Sequence, residues 1–312
     1  MKKIFLLTIT LLLPAFLIIS CGDNKQQDET VKYVIGFSQC NSAEPWREAM
    51  NKKMQEEAAK HPEIELLISD AQQDNAKQVA DVENFIVREV DLLIISPNEA
   101  KPLTDIVVEA YNKGIPTIIL DRKILSDEYT CYIGADNEVI GEAAGEYAAK
   151  LLNGKGKIVE IWGLKGSTPA IERHDGFMDG IAGNPEIEII YEQDGAWLLR
   201  KGREIMENAL QRFENIDLVY AHNDPMAMGA WLAAENVGRQ NKIYFLGIDG
   251  LPGPEGGVQA VLDGKLDATF LYPTGGEIAI QTALKILNGK DVEKNITLET
   301  VTIDSTNAKK YL

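Results

Sequence analysis

Charged and amide side chains in this sequence gather where short apolar segments stop. Asp121 and Arg122 follow one such segment, Asn223 follows a second and Asp249 follows or ends a third. A carboxylate accepts hydrogen bonds, a guanidinium donates them, and an amide does both. Brought together, these groups could bind a small polar molecule through many hydrogen bonds without changing it chemically.

One group of residues has the types needed for catalysis. Arg173-His174-Asp175 lies close to Ser167, which would supply a nucleophile for a base and an orienting acid. Adjacent residues on a helix point in different directions, so His174 and Asp175 cannot form the aligned relay of a triad. The sequence contains no nucleophile elbow, P-loop or paired-cysteine metal motif. We therefore expect no catalytic residue, no cofactor and no metal site.

Apolar and amphipathic segments alternate from residue 32 onward. Segments 91–96 and 116–121 are almost continuously apolar, which is typical of parallel strands buried on both faces. The segments between them have helical spacing, and this β-α-β repetition predicts doubly wound sheets. Because the rhythm restarts near residue 157 and gives more strands than one sheet comfortably holds, we predict an α/β fold of two doubly wound parallel-sheet lobes. Ligands of such sheets bind outside the carboxyl ends of the strands.

Residues 1–20 have the pattern of an export signal. A short basic start precedes an apolar segment that ends at Ile19 and is shorter than the ~20 residues of a membrane-spanning helix. Cys21 then follows a small residue, which resembles the bacterial lipobox. We expect a signal peptide over 1–20, lipidation of Cys21 and a lipidated tether over 21–31. The alternative is an ordinary cleaved signal followed by a chance cysteine.

Composition limits the partners. The formal net charge of −17 becomes −19 once the two lysines of the signal are removed, and such an acidic surface repels nucleic acid. The 292 residues that follow the signal are enough for two domains. Cys40 and Cys131 are the cysteines left besides Cys21; a disulfide between them and two buried free thiols are both open.

The motifs at the strand ends resemble those of the periplasmic sugar-binding proteins typified by ribose-binding protein, which have the type I periplasmic binding fold. Each motif is weak alone, but five occur in the family's order over nearly all of the chain from about Tyr33. They are Leu120-Asp-Arg122, Ile133-Gly-Ala-Asp-Asn137, Glu172-Arg-His-Asp-Gly-Phe177, Ala221-His-Asn-Asp-Pro-Met-Ala-Met-Gly-Ala230 and Gly247-Ile-Asp-Gly250. The resemblance implies two lobes, joined by a three-segment hinge, that close on one sugar.

The resemblance also assigns ligand-binding positions. The matching residues are Asp121, Arg122, Arg173, Trp197, Asn223, Asp249 and Tyr272. Asp121 and Arg122 match an acid and a base that bind sugar hydroxyls, and Arg173 matches a ligand-binding arginine. Trp197 matches an aromatic ring, Asn223 an amide and Asp249 a second ligand-binding acid. Tyr272 matches a glutamine with a one-residue offset.

The first loop departs from the ribose pattern. Ribose binders carry an Asn-Pro-Phe-Phe-like stretch there, whereas this chain has Glu44-Pro-Trp46-Arg47. Trp46 keeps one stacking ring, but Glu44 replaces an amide and Arg47 replaces a ring. Ser96 replaces a ligand asparagine, with Asn98 close behind. We add these five residues to the predicted site, and the changes weaken the case for ribose itself.

The predicted residue types suit a sugar, whose hydroxyls donate and accept around the ring edge. Each charged hydrogen bond contributes ~1.5–3 kcal/mol net, and Trp46 and Trp197 would sandwich the C–H faces of the ring. Other interpretations stay open for single residues: either tryptophan could belong to the core, Asn223 could only begin a helix, and Arg47 could lie on the surface. A pentose, a ketohexose and a hexopyranose all fit these residue types.

We therefore expect an exported, lipid-anchored monomer of the periplasm or cell envelope that delivers a monosaccharide to the permease of an ABC-type transporter. The alternative is a receptor that presents its closed form to a membrane sensor kinase. A sugar-active enzyme, with Asp121 and Asp249 as acid and base, is a minor alternative. The export signal and the lack of a helix-turn-helix segment exclude a DNA-binding repressor of the same fold.

Three chain crossings should divide the lobes. We predict an N-terminal lobe of residues 32–135 plus 273–303 and a C-terminal lobe of residues 136–272 plus 304–312. Hinge motion would then occur near residues 135–136, 272–273 and 303–304.

Overall fold

The computed structural model describes residues 31–312, so the signal, Cys21 and the tether up to residue 30 lie outside the described residues. Within that range the chain forms twelve strands and nine α-helices. The strands are β1 (Tyr33–Gln39), β2 (Ile64–Asp70), β3 (Leu92–Ser96), β4 (Thr117–Leu120), β5 (Cys131–Ala135), β6 (Lys155–Trp162), β7 (Glu186–Asp194), β8 (Leu218–Ala221), β9 (Tyr244–Asp249), β10 (Ala268–Leu271), β11 (Asn295–Leu298) and β12 (Thr302–Asp304). The helices are α1 (Pro45–Ala58), α2 (Asn75–Val87), α3 (Ala100–Asn112), α4 (Asn137–Leu151), α5 (Thr168–Ile181), α6 (Leu199–Arg212), α7 (Asp224–Asn236), α8 (Gly257–Leu262) and α9 (Gly276–Leu287).

The strands form two six-stranded sheets, ordered β11-β5-β4-β3-β1-β2 and β12-β10-β9-β8-β6-β7. Every pairing is parallel except the one between β10 and β12. Strands such as β3 are buried along their whole length because helices cover both faces of the sheet. The predicted fold of two doubly wound parallel-sheet lobes is confirmed. None of the helices in residues 31–312 has the length and apolarity needed to cross a membrane.

The chain passes between the two sheets three times. It leaves the first sheet after β5, returns after β10, where α9 packs on α1, and leaves again after β11. The predicted boundary after residue 303 is wrong, because Thr302 and Ile303 already pair with Phe270 and Thr269 of β10. The third crossing is therefore at residues 299–301. Strand β12 has only three residues, Thr302–Asp304, which are too few to show a strand pattern in the sequence.

Helices α4 and α5 pack against each other through glycines. A Cβ atom at Gly141 or Gly145 would lie inside van der Waals contact of the α5 backbone, and one at Gly176 or Gly180 would meet the α4 backbone in the same way. The position of α5, which carries Arg173, is thereby fixed against α4. Since α4 directly follows the first crossing, this contact ties a predicted ligand residue to the hinge region.

Candidate functional site

A cavity lies between the two lobes at the carboxyl ends of their strands. It encloses about 300 Å³ of space free of atoms, part of it open to solvent. Its lining residues are Glu44, Trp46, Arg47, Asp121 and Arg122 from the first lobe, Pro169, Arg173, Trp197, Asn223 and Asp249 from the second, and Tyr272 at the second crossing. Ten of the twelve predicted ligand residues are thus brought together. Pro169, in the first turn of α5, was not predicted and carries no polar signal that could have revealed it.

Ser96 and Asn98 do not line the cavity, so their prediction as ligand-contacting residues is not supported. The Ser96 hydroxyl accepts a hydrogen bond from Arg47 Nη1 at 2.9 Å and donates one to Asp121 Oδ2 at 3.1 Å. The backbone carbonyl of Asn98 accepts a hydrogen bond from Arg122 Nη1 at 2.8 Å. Ser96 therefore orients the Arg47 and Asp121 side chains, and Asn98 orients the Arg122 side chain.

Arg47 and Asp121 form an ion pair in the wall of the cavity. Arg47 Nη2 lies 2.7 Å from Asp121 Oδ2, and each side chain is 4% exposed. The Tyr272 hydroxyl donates to the other carboxylate oxygen at 2.8 Å. Burial acts to raise the pKa of Asp121, but the Arg47 and Arg122 guanidinium groups outweigh it and hold that pKa below its usual value. Asp121 is therefore an ionised acceptor, and Arg47 is not a surface residue.

The two predicted tryptophans occupy different surroundings within the cavity. Trp46 stacks on Tyr272 with ring centroids 5.2 Å apart, and its indole N–H donates to the Tyr272 carbonyl at 2.7 Å. Trp197 lies between cations of both lobes: the Arg122 and Arg173 guanidinium carbons are each 5.4 Å from its ring centroid. Such cation–π contacts contribute ~0.5–2 kcal/mol. Trp197 therefore helps to hold the two lobes together.

Asn223 has two roles at once. Its side-chain oxygen accepts from the Met226 backbone N–H at 3.0 Å, which caps α7, and its amide donates to the Trp197 carbonyl at 3.0 Å. The interpretation as a helix-entry residue therefore holds together with a place in the cavity wall. Asn223 fixes the loop that carries Trp197.

Three residues of the cavity wall have strained backbone conformations. Asp121 and Trp197 each have a φ of 68°, and Asp249 has a φ of 140°. Non-glycine residues in such conformations cost about 1–3 kcal/mol each and persist only where the surrounding structure holds them. The strain aims these three side chains into the cavity.

Asp249 and Asp224 form a buried acidic pair. Asp224 accepts hydrogen bonds from the Gly250 N–H at 2.9 Å and from the Thr269 hydroxyl at 2.7 Å. Burial raises the pKa of Asp224 to about 6. Burial and the neighbouring Asp224 charge raise the pKa of Asp249 well above its usual value. The carboxyl group that faces the cavity therefore keeps a proton at pH values where a free aspartate is ionised.

We expect ligand binding to release a proton from Asp249. A ligand hydroxyl that donates to the carboxylate favours the ionised form, so affinity should increase with pH from the ordinary pKa of aspartate up to the raised one. Calorimetry in two buffers of different ionisation enthalpy would measure the release. The Asp249→Asn variant should lose it, whereas Asp263→Asn, an exposed control, should keep it. Heats that do not depend on the buffer would contradict this expectation.

Polar contacts outside the cavity also join the lobes. Lys123 Nζ lies 2.7 Å from Glu172 Oε1, and the Lys123 backbone N–H donates to the Thr168 hydroxyl at 2.9 Å. The Ala100 N–H donates to the Gly166 carbonyl at 3.3 Å. The described structure is therefore a closed form, with the lobes in contact across the cavity rim.

Lys123→Ala should weaken ligand binding by up to about 5-fold, because a partly exposed ion pair contributes ~0.2–1 kcal/mol and this one exists only when the lobes are closed. The dissociation constant, measured by calorimetry, would report the change. Lys155→Ala is the matched control: its pair with Glu186 is also 2.7 Å long but lies within one lobe. Equal effects of the two variants would show that closure does not depend on Lys123.

Ser167, His174 and Asp175 do not form a catalytic triad. His174 Nδ1 lies 2.9 Å from Glu160 rather than beside Asp175, and the Ser167 hydroxyl donates to the Leu164 carbonyl at 2.6 Å. Cys40 and Cys131 are both buried free thiols, which settles the question of a disulfide. The side chains that converge between the lobes are therefore those of a binding site.

Two parallel-sheet lobes with a polar, aromatic-lined cavity between them define a two-domain binding protein for a small polar ligand. Residues 35–291 match a family model described as a periplasmic binding protein domain. The chain belongs to this family of periplasmic sugar-binding proteins, whose members bind their ligands and do not transform them.

Individual relatives agree with this assignment. The ribose import binding protein RbsB of Bacillus subtilis is 31% identical over 306 residues, which cover 95% of this chain and 97% of the relative. The structure of a fructose-binding periplasmic domain of a hybrid two-component system has a TM-score of 0.87 and 49% identity. The match covers 89% of this chain and 92% of the chain in that structure. The structure of an ABC transporter solute-binding protein from Bacillus halodurans with bound myo-inositol has a TM-score of 0.86 and 34% identity. That match covers 90% of this chain and 98% of the chain in that structure.

Proposed function

We propose that this protein captures a monosaccharide in the interlobe cavity and delivers it to an ABC-type sugar transporter. The observation that carries the proposal is the convergence of charged and aromatic side chains from both lobes on one cavity. The cavity between these side chains is small, which suits one sugar ring rather than an oligosaccharide or a peptide.

The lining residues explain how a sugar would favour closure. Asp121 and Arg47 belong to the first lobe, whereas Arg173 and Asp249 belong to the second, so only the closed form offers all four to one ligand. A ligand shifts a conformational equilibrium only through contacts that differ between the two states. The sugar therefore acts as a bridge, and the closed outer surface becomes the signal that a membrane partner recognises.

A thermal-shift screen with ribose, fructose, galactose, myo-inositol, a disaccharide, short peptides and fatty acids tests the ligand class. A true ligand at 100 times its Kd adds ~2.7 kcal/mol of stability. Arg173→Ala should lose this shift, because its guanidinium lines the cavity, whereas Arg203→Ala, on an exposed helix face, should keep it. A shift with peptides or fatty acids in place of sugars, or an intact shift in Arg173→Ala, would overturn the proposal.

A sensory receptor is the second candidate function. The relative at 49% identity is by its name the sugar-binding domain of a two-component system, which favours presentation of the closed form to a membrane sensor kinase. Deletion of the gene separates the two. A transport protein is required for uptake of labelled sugar, whereas a receptor is required for sugar-induced transcription while uptake continues.

We also propose that residues 1–20 are removed and that a lipid on Cys21 anchors the protein in the cell envelope as a monomer. The two lobes would divide at the three chain crossings. The family's periplasmic location supports export. Metabolic labelling with a fatty acid should mark the wild type and not a Cys21→Ser variant. Gel filtration of the protein without its anchor would report its oligomeric state.

A further inference from the structure

Three metal-ligating side chains meet behind the cavity, in the second lobe. Glu160 on β6 and Glu192 on β7 are paired directly across neighbouring parallel strands, and His174 of α5 lies over them. One ligand atom from each residue lies within 4.8 Å of the other two. His174 Nδ1 lies 2.9 Å from Glu160 Oε1 and 3.0 Å from Oε2, so a metal ion here would take the place of the proton that these two side chains share.

Each carboxylate is oriented by a further side chain. His222 Nε2 lies 3.0 Å from Glu160 Oε1, and the Trp162 indole N–H donates to Glu192 Oε2 at 2.9 Å. Trp162 also stacks on His174 with centroids 4.2 Å apart, which holds the imidazole over the strands. Supporting hydrogen bonds of this kind surround natural metal sites and fix the ligands in place.

We propose that Glu160, His174 and Glu192 bind a divalent transition-metal ion of the Zn²⁺ type. Imidazole nitrogen and carboxylate oxygen are Zn²⁺ ligands, and three protein ligands leave a fourth position for water. Two carboxylates and a neutral imidazole balance the charge of the ion. Glu160 is fully buried, but His174 is 24% exposed and Glu192 is exposed, so the ion can enter from solvent.

No sequence motif predicts this site. The three residues are 14 and 18 positions apart, which matches no metal motif, and only the pairing of β6 with β7 under α5 brings them together. The site lies next to the proposed sugar cavity, since Arg173 precedes His174 and donates a hydrogen bond to the His222 carbonyl. It is nevertheless formed by one lobe alone, so it does not depend on sugar binding.

Calorimetric titration of the metal-free protein with ZnCl₂ tests the proposal. We expect saturable binding of one ion, weakened at least about 10-fold in Glu192→Gln and in His174→Gln. Because Glu192 is exposed, its substitution leaves the fold intact, which the unchanged melting temperature would verify. The control is His61→Gln: His61 also lies near two glutamates, at 3.6 Å from Glu57 and 3.8 Å from Glu63, and its loss should leave binding unchanged.

Three outcomes would overturn the proposal: no saturable binding, binding that survives both Glu192→Gln and His174→Gln, or binding that is lost in His61→Gln. The last would place the ion at the C-terminal end of α1, beside Glu57 and Glu63. None of these results bears on the sugar screen, so failure of the metal site and failure of the proposed function can be told apart.

Discussion

Replacing Asp121 with alanine should abolish sugar binding and lower the free energy of unfolding by ~3–5 kcal/mol. The substitution removes an acceptor from the cavity and leaves the Arg47 guanidinium buried without its carboxylate, which lies 2.7 Å away in the wild type. The Tyr272 hydroxyl loses its partner as well. Denaturant unfolding would measure the stability, and the thermal-shift screen would measure binding.

A double variant separates the two effects of this substitution. Arg47→Met combined with Asp121→Leu removes both charges, and replacing a whole buried pair by apolar residues is often neutral or stabilising. We expect most of the lost stability to return while sugar binding stays absent. Glu207→Ala is the exposed control, because the ion pair of Glu207 with Arg203 is 2.9 Å long but about half exposed. This variant should change the free energy of unfolding by less than ~1 kcal/mol. Sugar binding by the double variant would show that neither charge contacts the ligand.

Replacing Gly141 with alanine should destabilise the protein by ~1–3 kcal/mol or more and weaken sugar binding by about 10-fold or more. The new methyl group would overlap the Arg173 carbonyl oxygen and lie 2.9 Å from the Phe177 backbone nitrogen. Backbone atoms cannot rotate away as a side chain can, so α5 has to move. Arg173 moves with it and is displaced from the cavity. Melting temperature and sugar affinity should therefore fall together.

Gly183, just beyond the end of α5, provides the matched control for Gly141. A Cβ atom at Gly183 meets nothing within 4 Å, and its φ is not in the left-handed region. Gly183→Ala should therefore be neutral or stabilise the protein by up to ~1 kcal/mol through the unfolded state. If Gly141→Ala behaved like Gly183→Ala, the two helices could separate without cost and the glycine contact would not position Arg173.

The raised pKa of Asp249 and the lowered pKa of Asp121 have different physical causes. Asp121 faces two guanidinium groups, whereas Asp249 faces another carboxyl group, Asp224, in a buried position. A ligand hydroxyl that donates a hydrogen bond to the Asp249 carboxylate favours its ionised form, so binding works against the raised pKa of this group. Asp121 and Asp249 are therefore not equivalent, and we expect Asp249 rather than Asp121 to couple binding to pH near its raised pKa.

The sequence by itself determined the two-lobed fold and most of the cavity. Alternation of apolar strands with amphipathic helices predicts parallel sheets, and the carboxyl ends of parallel strands meet at one edge. Polar residues at the ends of strands in one sheet, such as Asn223 and Asp249, are therefore expected to lie together, and the family resemblance implied that Asp121 of the other lobe meets them. The family resemblance then supplied Arg173 and Trp197, which strand ends alone do not single out.

Only the tertiary structure decided which of these residues face the cavity and what each one contacts. Ser96 lies behind Arg47 rather than in the cavity, Asp121 and Trp197 are held by strained backbone, and Glu160 meets Glu192 across a strand pairing. These features depend on strand register and on how a helix packs on a sheet. Such contacts join residues far apart in the chain, so no local pattern in the sequence encodes them.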